Sequence, residues 1–296
     1  IMFSAHHSLG AFALSEFGTE EQKRKYLVPL MKGEKLGAFG ATEPSAGCDL
    51  GSQQTRAVDM GDHWLLNGSK IFITNGYYAD IYFVSAVTDP SKGSRGISAF
   101  VVEKGTPSFS FGKKEKKMGI RGSATYELVF EDCQIPKENL IGELGTGFKK
   151  ALATLDGGRI GVAAQALGIA QGAVDRCKEY VTEHMRGEQK ISQYQFTQFQ
   201  LADMQTRVDA ARLLVYRAAQ AKQNHEPFGQ YAAMAKLFAS ETAVDVTRRC
   251  IELVGYDGVS SDYPFERFMR DAKITEIYEG TSEVQRMVIS SAMGIK

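Results

Sequence analysis

The stretch Trp64-Leu65-Leu66-Asn67-Gly68-Ser69-Lys70-Ile71-Phe72-Ile73-Thr74 sets the character of the first half of the chain. Two apolar runs flank an Asn-Gly pair, which readily takes the positive φ angles of a two-residue type I′ turn. The segment therefore predicts a hairpin turning at Asn67-Gly68. Working outward, residues from about 35 to 131 stay rich in β-branched and aromatic side chains with frequent Gly turns. Tyr82 to Val87, Ile97 to Glu103 and Tyr126 to Phe130 read as further strands, and the short spacing predicts an antiparallel barrel or sandwich.

From Gly147 onward the apolar period changes to that of helices. Phe196, Phe199, Met204, Val208, Ala211, Val215 and Ala218 mark one face of a long helix. Gly158 to Met185, Gln230 to Val254 and Ser282 to Ala292 fit three more, and short connections between four helices imply a bundle. Upstream, Met2 to Phe17 reads as a helix stopped at Gly18. Thr19, followed by Glu20, Glu21 and Gln22, reads as a new N-cap with acids complementing the helix dipole. Because the sequence begins inside a helical pattern, a missing upstream segment or a partner chain is expected. His6 and His7 lie in an apolar run without a basic leader, so no targeting peptide is expected.

Composition narrows the function classes. The 296 residues are 43% hydrophobic and 24% charged, which suits one large globular domain or two moderate ones. Lys plus Arg and Asp plus Glu each number 35. That balance argues against nucleic-acid or polybasic membrane binding, since both need surplus cations. No apolar stretch approaches bilayer-spanning length, so no membrane partner is expected. Cys48, Cys133, Cys177 and Cys250 form no CxxC pair, which argues against a zinc site or a disulfide scaffold and favours a reducing compartment.

Two segments carry chemistry. Thr42-Glu43-Pro44-Ser45-Ala46-Gly47-Cys48-Asp49 is small and polar at the entry to the β zone. The second runs Arg270-Asp271-Ala272-Lys273-Ile274-Thr275-Glu276-Ile277-Tyr278-Glu279-Gly280-Thr281-Ser282. Here Glu279 sits in a turn beside an apolar Ile-Tyr pair, where burial raises a carboxyl towards neutrality and suits it to act as a base. On local grounds, a Glu before Gly-Thr-Ser is more often simply a helix-entry residue.

These two segments occur in order with Phe72-Ile73-Thr74-Asn75-Gly76, Met118-Gly119-Ile120-Arg121-Gly122-Ser123 and Leu155-Asp156-Gly157-Gly158-Arg159-Ile160. Together they resemble the acyl-CoA dehydrogenase family, closest to its short-chain (butyryl-CoA) branch, from Ile1 to Lys296. The resemblance implies a multidomain α and β protein. It would have a remnant of an N-terminal helical domain at residues 1–35, most of that domain being missing, a central antiparallel β-barrel domain at 36–142 and a C-terminal four-helix bundle at 143–296. FAD would lie between the domains.

The activity implied is α,β-dehydrogenation of short-chain acyl-CoA to trans-2-enoyl-CoA, with Glu279 taking the α-proton and flavin N5 taking the hydride. The Glu279 N–H would help hold the thioester oxygen. Some branches carry the base on the helix after the Leu-Asp motif; here that position is Gly158, which cannot serve. For FAD, the resemblance points to Thr42 and Thr74 at the ring edge and to Phe39, Ala41 and Phe72 packing on the ring. Gly47, Cys48, Thr281 and Glu283 also match cofactor positions. Cys48 replaces a hydroxyl residue near FAD and CoA, and Cys48, Asp156, Arg159 and Gly280 match the substrate side. Chain-length selectivity would involve Phe3, Ala5 and His6.

Two departures stand at the diphosphate contacts made to a neighbouring subunit. An Arg-x-x-Phe-Gly segment is replaced by His184-Met185-Arg186-Gly187-Glu188. A Gln-containing, double-Gly loop reads Glu252-Leu253-Val254-Gly255-Tyr256-Asp257-Gly258. The expected partners are acyl-CoA, an electron-transfer flavoprotein, and either identical subunits in a homotetramer or a paralogue in a heteromer. A flavin-poor subunit and an enoyl-CoA reductase are the alternative readings. The expected compartment is the bacterial cytoplasm, or the mitochondrial matrix in a eukaryote.

Overall fold

The computed structural model describes residues 1–295. They form two compact units, one of residues 1–117 with 121–158, the other of 118–120 with the chain from 159 onward.

The first unit opens with two helices. Residues 2–17 form α1, with a π-helical stretch His6–Ala11 between α-helical turns Met2–Ala5 and Phe12–Phe17. Thr19 then starts α2, residues 20–31. Its hydroxyl accepts from Gln22 N at 3.2 Å while Gln22 Oε1 accepts from Thr19 N at 3.1 Å, the reciprocal cap expected from the sequence. Gln22 also donates to the carbonyls of Glu138 and Leu140 at 2.7 and 2.8 Å, tying the cap to the sheet's last connection.

Seven strands follow: β1 Gly37–Gly40, β2 Arg56–Asp59, β3 His63–Thr74, β4 Ile81–Val87, β5 Ile97–Glu103, β6 Phe109–Lys114 and β7 Thr125–Pro136. They form one sheet in the order β1-β4-β2-β3-β7-β6, with β5 added on β4. The sheet is mixed rather than purely antiparallel, because β1 and β2 both run parallel to β4. The first six residues of β4 are buried, as befits a strand with three neighbours. Trp64, Tyr82, Phe100, Phe109 and Phe130 fill the core of this sheet.

The expected hairpin at Asn67-Gly68 is not there. β3 runs unbroken through both residues, Asn67 pairing with Arg56 and Gly68 with Phe130. The turn lies at residues 60–62 instead, where Met60 N donates to His63 O at 3.0 Å and Gly61 has φ 95°. Gly68 serves a bulge: its φ is 140°, and a Cβ there would lie 2.6 Å from Thr55 Oγ1. Asn67 pairs with Asp132 across the ladder, Nδ2 donating to Oδ1 at 3.0 Å and Asp132 N donating back to Asn67 Oδ1 at 2.8 Å.

The second unit is helical. Helix α3, Gly147–Glu183, starts eleven residues before the predicted Gly158, with Gly157 and Gly158 buried inside it, and from residue 159 onward it belongs to this unit. Short strands β8 Met185–Arg186 and β9 Gln189–Lys190 lead to α4 Gln195–Gln223, then α5 Gly229–Val254, α6 Tyr256–Val259, α7 Phe265–Lys273 and α8 Ser282–Ala292. The core is small-residue-rich, with Ala163, Ala170, Cys177, Val208, Ala239 and Cys250 among its members. On α4 the buried stripe is Thr197, Met204, Val208, Ala211, Val215 and Ala218. Phe196 and Phe199 are 67% and 60% exposed. The seven-residue step back from Met204 lands on Thr197, so the two aromatics fall off the stripe they were expected to extend.

Candidate active site

In the second unit the site grows from the backbone between α7 and α8. The helical turns end at Glu276, and Thr281 caps α8 through its hydroxyl, which accepts from Val284 N at 3.4 Å. The link must reverse tightly, so Glu279 and Gly280 both take left-handed backbone, φ 52° and 91°. Gly280 suits this conformation; Glu279 does not, and a strained non-glycine residue marks a place where side-chain direction matters more than local comfort.

Two donors hold that reversal. Lys236 Nζ and Gln285 Nε2 each donate to Gly280 O at 2.8 Å, and Gln285 Nε2 also reaches Glu279 O at 3.3 Å. The Glu279 N–H has no acceptor among the described residues. Its carboxyl Oε2 is wholly buried without a hydrogen-bond partner. Burial pushes the Glu279 carboxyl up to about 7, against the opposing pull of the Lys236 and Arg159 cations. Beside it, Tyr278 Oη donates to Gln165 Oε1 at 2.6 Å and burial raises its phenol as well. Glu279, Gly280, Arg159 and Thr281 thus gather around one turn. Exposed Glu283 lies in the first turn of α8, its carboxyl held down by the Thr281 hydroxyl and by its own backbone N–H. Asp156 is half-buried one helical turn before Arg159 on α3.

The remaining residues of this unit expected at the cofactor group elsewhere. His184 stacks on Tyr180, ring centroids 3.8 Å apart, with Nδ1 2.9 Å from Tyr180 O. Glu252 pairs with Arg248 on the α5 surface. Gly255 ends α5 at φ 83°, beside Arg186, whose guanidinium donates to Leu253 O at 2.8 Å. Tyr256 is 85% exposed.

In the first unit, Ile71 N donates to Thr42 O at 2.9 Å, placing the Thr42 loop along the end of β3. Thr42 and Thr74 are half-buried, and buried Ser123 Oγ has no hydrogen-bond partner among the described residues. Phe72, two residues before Thr74 on β3, has φ 58° and is 59% exposed. A bulky residue held in that region with its ring in the open is an outlier that packing alone does not require. Phe39 stacks on Phe83 at 4.7 Å and Ala41 is buried, while Gly47 and Cys48 are exposed in the following loop.

Beneath this group lies an ion pair that sequence reasoning missed. Lys70 Nζ meets Glu43 Oε1 at 2.6 Å and Gln53 Oε1 at 2.8 Å. Glu43 also accepts from Gln54 N at 2.6 Å and Thr55 N at 3.1 Å, and Ser85 Oγ donates to Gln53 Oε1 at 2.7 Å. Burial pushes the Glu43 carboxyl up, but Lys70 and the amide donors outweigh it and leave it below its ordinary value. The available signal was a lysine in the same alternating register of β3 as Trp64 and Leu66. For Lys236 it was a cation on the apolar stripe Ala232, Ala239, Ala243 of α5.

Residues 1–34 match the N-terminal domain model of acyl-CoA dehydrogenases, 38–133 the middle domain and 145–294 the C-terminal domain. The N-terminal domain is therefore represented, by residues 1–34. The chain is 57% identical over 290 residues to a short-chain specific acyl-CoA dehydrogenase of Clostridium acetobutylicum, covering 98% of this chain and 76% of that protein. It resembles the structure of butyryl-CoA dehydrogenase from Megasphaera elsdenii with a TM-score of 0.98 and 55% identity, covering 99% of this chain and 76% of the other. A chain in a structure described as the electron transferring flavoprotein of Acidaminococcus fermentans also aligns, with a TM-score of 0.98, 56% identity, and 99% and 77% coverage. With all three domain models matched in order and more than half of its residues shared with such relatives, the chain belongs to the acyl-CoA dehydrogenase family.

Proposed function

We propose that the protein oxidises short-chain acyl-CoA to trans-2-enoyl-CoA using FAD, with Glu279 as the base that removes the α-proton. The carrying observation is the Glu279 carboxyl itself, buried, unpartnered at Oε2 and pushed up to about 7. A carboxylate in water is far too weak a base for a thioester α-proton, so a site must strengthen the base and hold the enolate-like oxygen. Burial does the first here. The unpaired Glu279 N–H supports the second, as a donor aimed from the same residue.

The residues present fit FAD. The half-buried hydroxyl residues Thr42 and Thr74 and the buried, unpartnered Ser123 Oγ suit the heteroatom edge of a flavin ring, and the strained, open Phe72 offers an apolar face to it. When bound, FAD supplies the two-electron acceptor for the β-hydrogen. Thr42 and Thr74 would orient it, Phe72 would pack on it and Glu279 would hold the abstracted proton. Cys48, Gly47, Thr281 and Glu283 remain proposed cofactor contacts, and Arg159, Asp156 and Gly280 proposed substrate contacts. Electrons would pass to an electron-transfer flavoprotein, supported by the likeness to a chain from such a structure.

The same reading keeps a barrel-like middle domain at 36–142 and a C-terminal bundle at 143–296, assembled as a homotetramer. The family-model boundaries support that division. No helix among the described residues is long and apolar enough to cross a membrane.

Anaerobic addition of butyryl-CoA tests the function: the bound flavin of the wild type should bleach, and that of Glu279→Gln should not. A second reading, a flavin-poor subunit of a heteromer, is favoured by the engagement of His184 with Tyr180 and of Glu252 with Arg248. Full flavin occupancy in the purified protein removes it. Running the same chemistry backwards as an enoyl-CoA reductase depends on the electron donor supplied and is checked in the same cuvette with crotonyl-CoA and reduced flavin.

A further inference from the structure

We propose that Lys236 is a positioning residue for the catalytic turn, holding the Gly280 carbonyl so that Glu279 keeps its left-handed backbone and an ionisable carboxyl. This deepens, and rests on, the assignment of Glu279 as the base.

The argument begins with cost. Lys236 is fully buried, on a stripe of α5 otherwise made of Ala232, Ala233, Ala239, Ser240 and Ala243. An ammonium in such a place loses several kcal/mol of hydration unless charges and acceptors around it compensate. Packing does not call for it, since its neighbours along the stripe are small and apolar or a lone hydroxyl. The hydrogen bond it makes is to Gly280 O, the carbonyl next to the base, at 2.8 Å.

Gln285 completes the clamp from the first turns of α8, donating to the same oxygen at 2.8 Å and to Glu279 O at 3.3 Å. The fit is close: a Cβ at position 280 would lie 2.8 Å from Gln285 Nε2 and 3.2 Å from Val284 Cγ1. The carbonyls of Glu279 and Gly280, in two successive peptides, are thus pinned by donors from α5 and α8. Pinning them fixes the direction in which the Glu279 side chain and N–H leave the turn.

Charge supplies the second half. The groups facing Lys236 are Glu279 in the turn, Glu276 in the preceding helical turn, Glu283 on α8 and Arg159 on α3. Glu279 in turn faces Lys236 and Arg159. Burial pushes Lys236 down to about 8, with Glu279 the largest force opposing that fall. At neutral pH it stays cationic and keeps Glu279 titrating near 7 rather than higher. Lysine therefore does two things through one atom: it orients the turn and keeps its carboxyl available as carboxylate.

The test uses FAD-loaded enzyme carrying Lys236→Met, Lys236→Gln or Lys236→Arg, beside wild type and Glu279→Gln. Two readouts are followed against pH: the rate of flavin reduction by butyryl-CoA, and the carboxyl 13C shift of labelled glutamate, with the Glu279 signal assigned by its absence in Glu279→Gln. Loss of the cation should raise the Glu279 titration by about 1 unit, and flavin reduction at pH 7 should slow about fivefold as the ionised fraction falls from about a half to about a tenth. Lys236→Arg should restore most of both. Wild-type titration and a superimposable pH profile in Lys236→Met or Lys236→Gln would overturn the proposal.

If both neutral variants fail to fold, Gln285→Leu tests the clamp without touching a charge. It should slow flavin reduction while leaving the Glu279 titration in place, and wild-type reduction would overturn the proposal. Failure of the underlying assignment looks different: Glu279→Gln itself would still bleach the flavin.

Discussion

Lys70 and Glu43 form an ion pair 2.6 Å long in which the side chains are 0% and 3% exposed, and Glu43 directly follows Thr42. The pair anchors the loop that carries a proposed flavin contact. Lys70→Met leaves Glu43 buried without its cation and should cost about 3–5 kcal/mol in urea denaturation. Lys70→Met with Glu43→Leu should recover most of that loss. A single variant less than about 1 kcal/mol below wild type would mean that water reaches the pair.

The pH dependence of the same pair has a definite sign. The Glu43 carboxyl lies below its ordinary value of 4.5 in the folded protein. Its contribution is therefore complete above 4.5 and is lost as pH falls further through the folded value. Acid unfolding of the Glu43→Gln variant should start from a lower stability and be correspondingly less steep in that range.

Glu279 has the opposite sign. Its carboxyl titrates near 7 in the fold against 4.5 ordinarily, so the native state binds the extra proton between those values. The stability associated with the protonated form is present below 4.5 and lost as pH rises through about 7. Glu279→Gln, which cannot ionise, should be more stable than wild type at pH 8 by at most about 3 kcal/mol. At pH 4.5 the two should converge. A constant difference across that range in calorimetry would contradict a buried carboxylate at this position.

Phe72 carries backbone strain at φ 58° with its ring open to solvent. Phe72→Gly removes strain of about 1–3 kcal/mol while adding a chain-entropy cost of about 0.5–1 kcal/mol, so urea stability should hold or rise. FAD retention through gel filtration should fall. Retention equal to wild type would show that the ring has no part in holding the cofactor.

Gly68 distinguishes a strand bulge from a hairpin turn. Gly68→Ala places a methyl carbon 2.6 Å from Thr55 Oγ1 at φ 140°, and should cost about 2–3 kcal/mol by urea denaturation. A cost below about 1 kcal/mol would mean that β2 and β3 separate easily there.

Periodicity and turn chemistry sufficed for much of the fold. Ile97 to Glu103 and Ser282 to Ala292 occur with the limits read from the residues, and the Thr19 cap forms as its spacing requires. These features are local: alternation, a 3.6-residue stripe and a cap depend on neighbours a few positions away. The raised Glu279 carboxyl was also foreseeable, since an acid between Tyr278 and Gly280 carries its apolar setting with it, whereas its proposed role as a base rests on the co-occurrence of five distant motifs.

Other features were beyond local reading because distant partners decide them. Asn67-Gly68 has the chemistry of a turn, yet Arg56, Thr55 and Phe130 draw it into a strand, and the glycine serves close approach instead. Phe196 and Phe199 look like core and stand in the open, since helix rotation is set by what the whole face packs against. Lys70 and Lys236 resemble solvated cations one at a time. Only the folded chain brings Glu43 to one and the Gly280 carbonyl to the other, because the energy that makes a buried charge tolerable lies in partners 27 and 44 residues away.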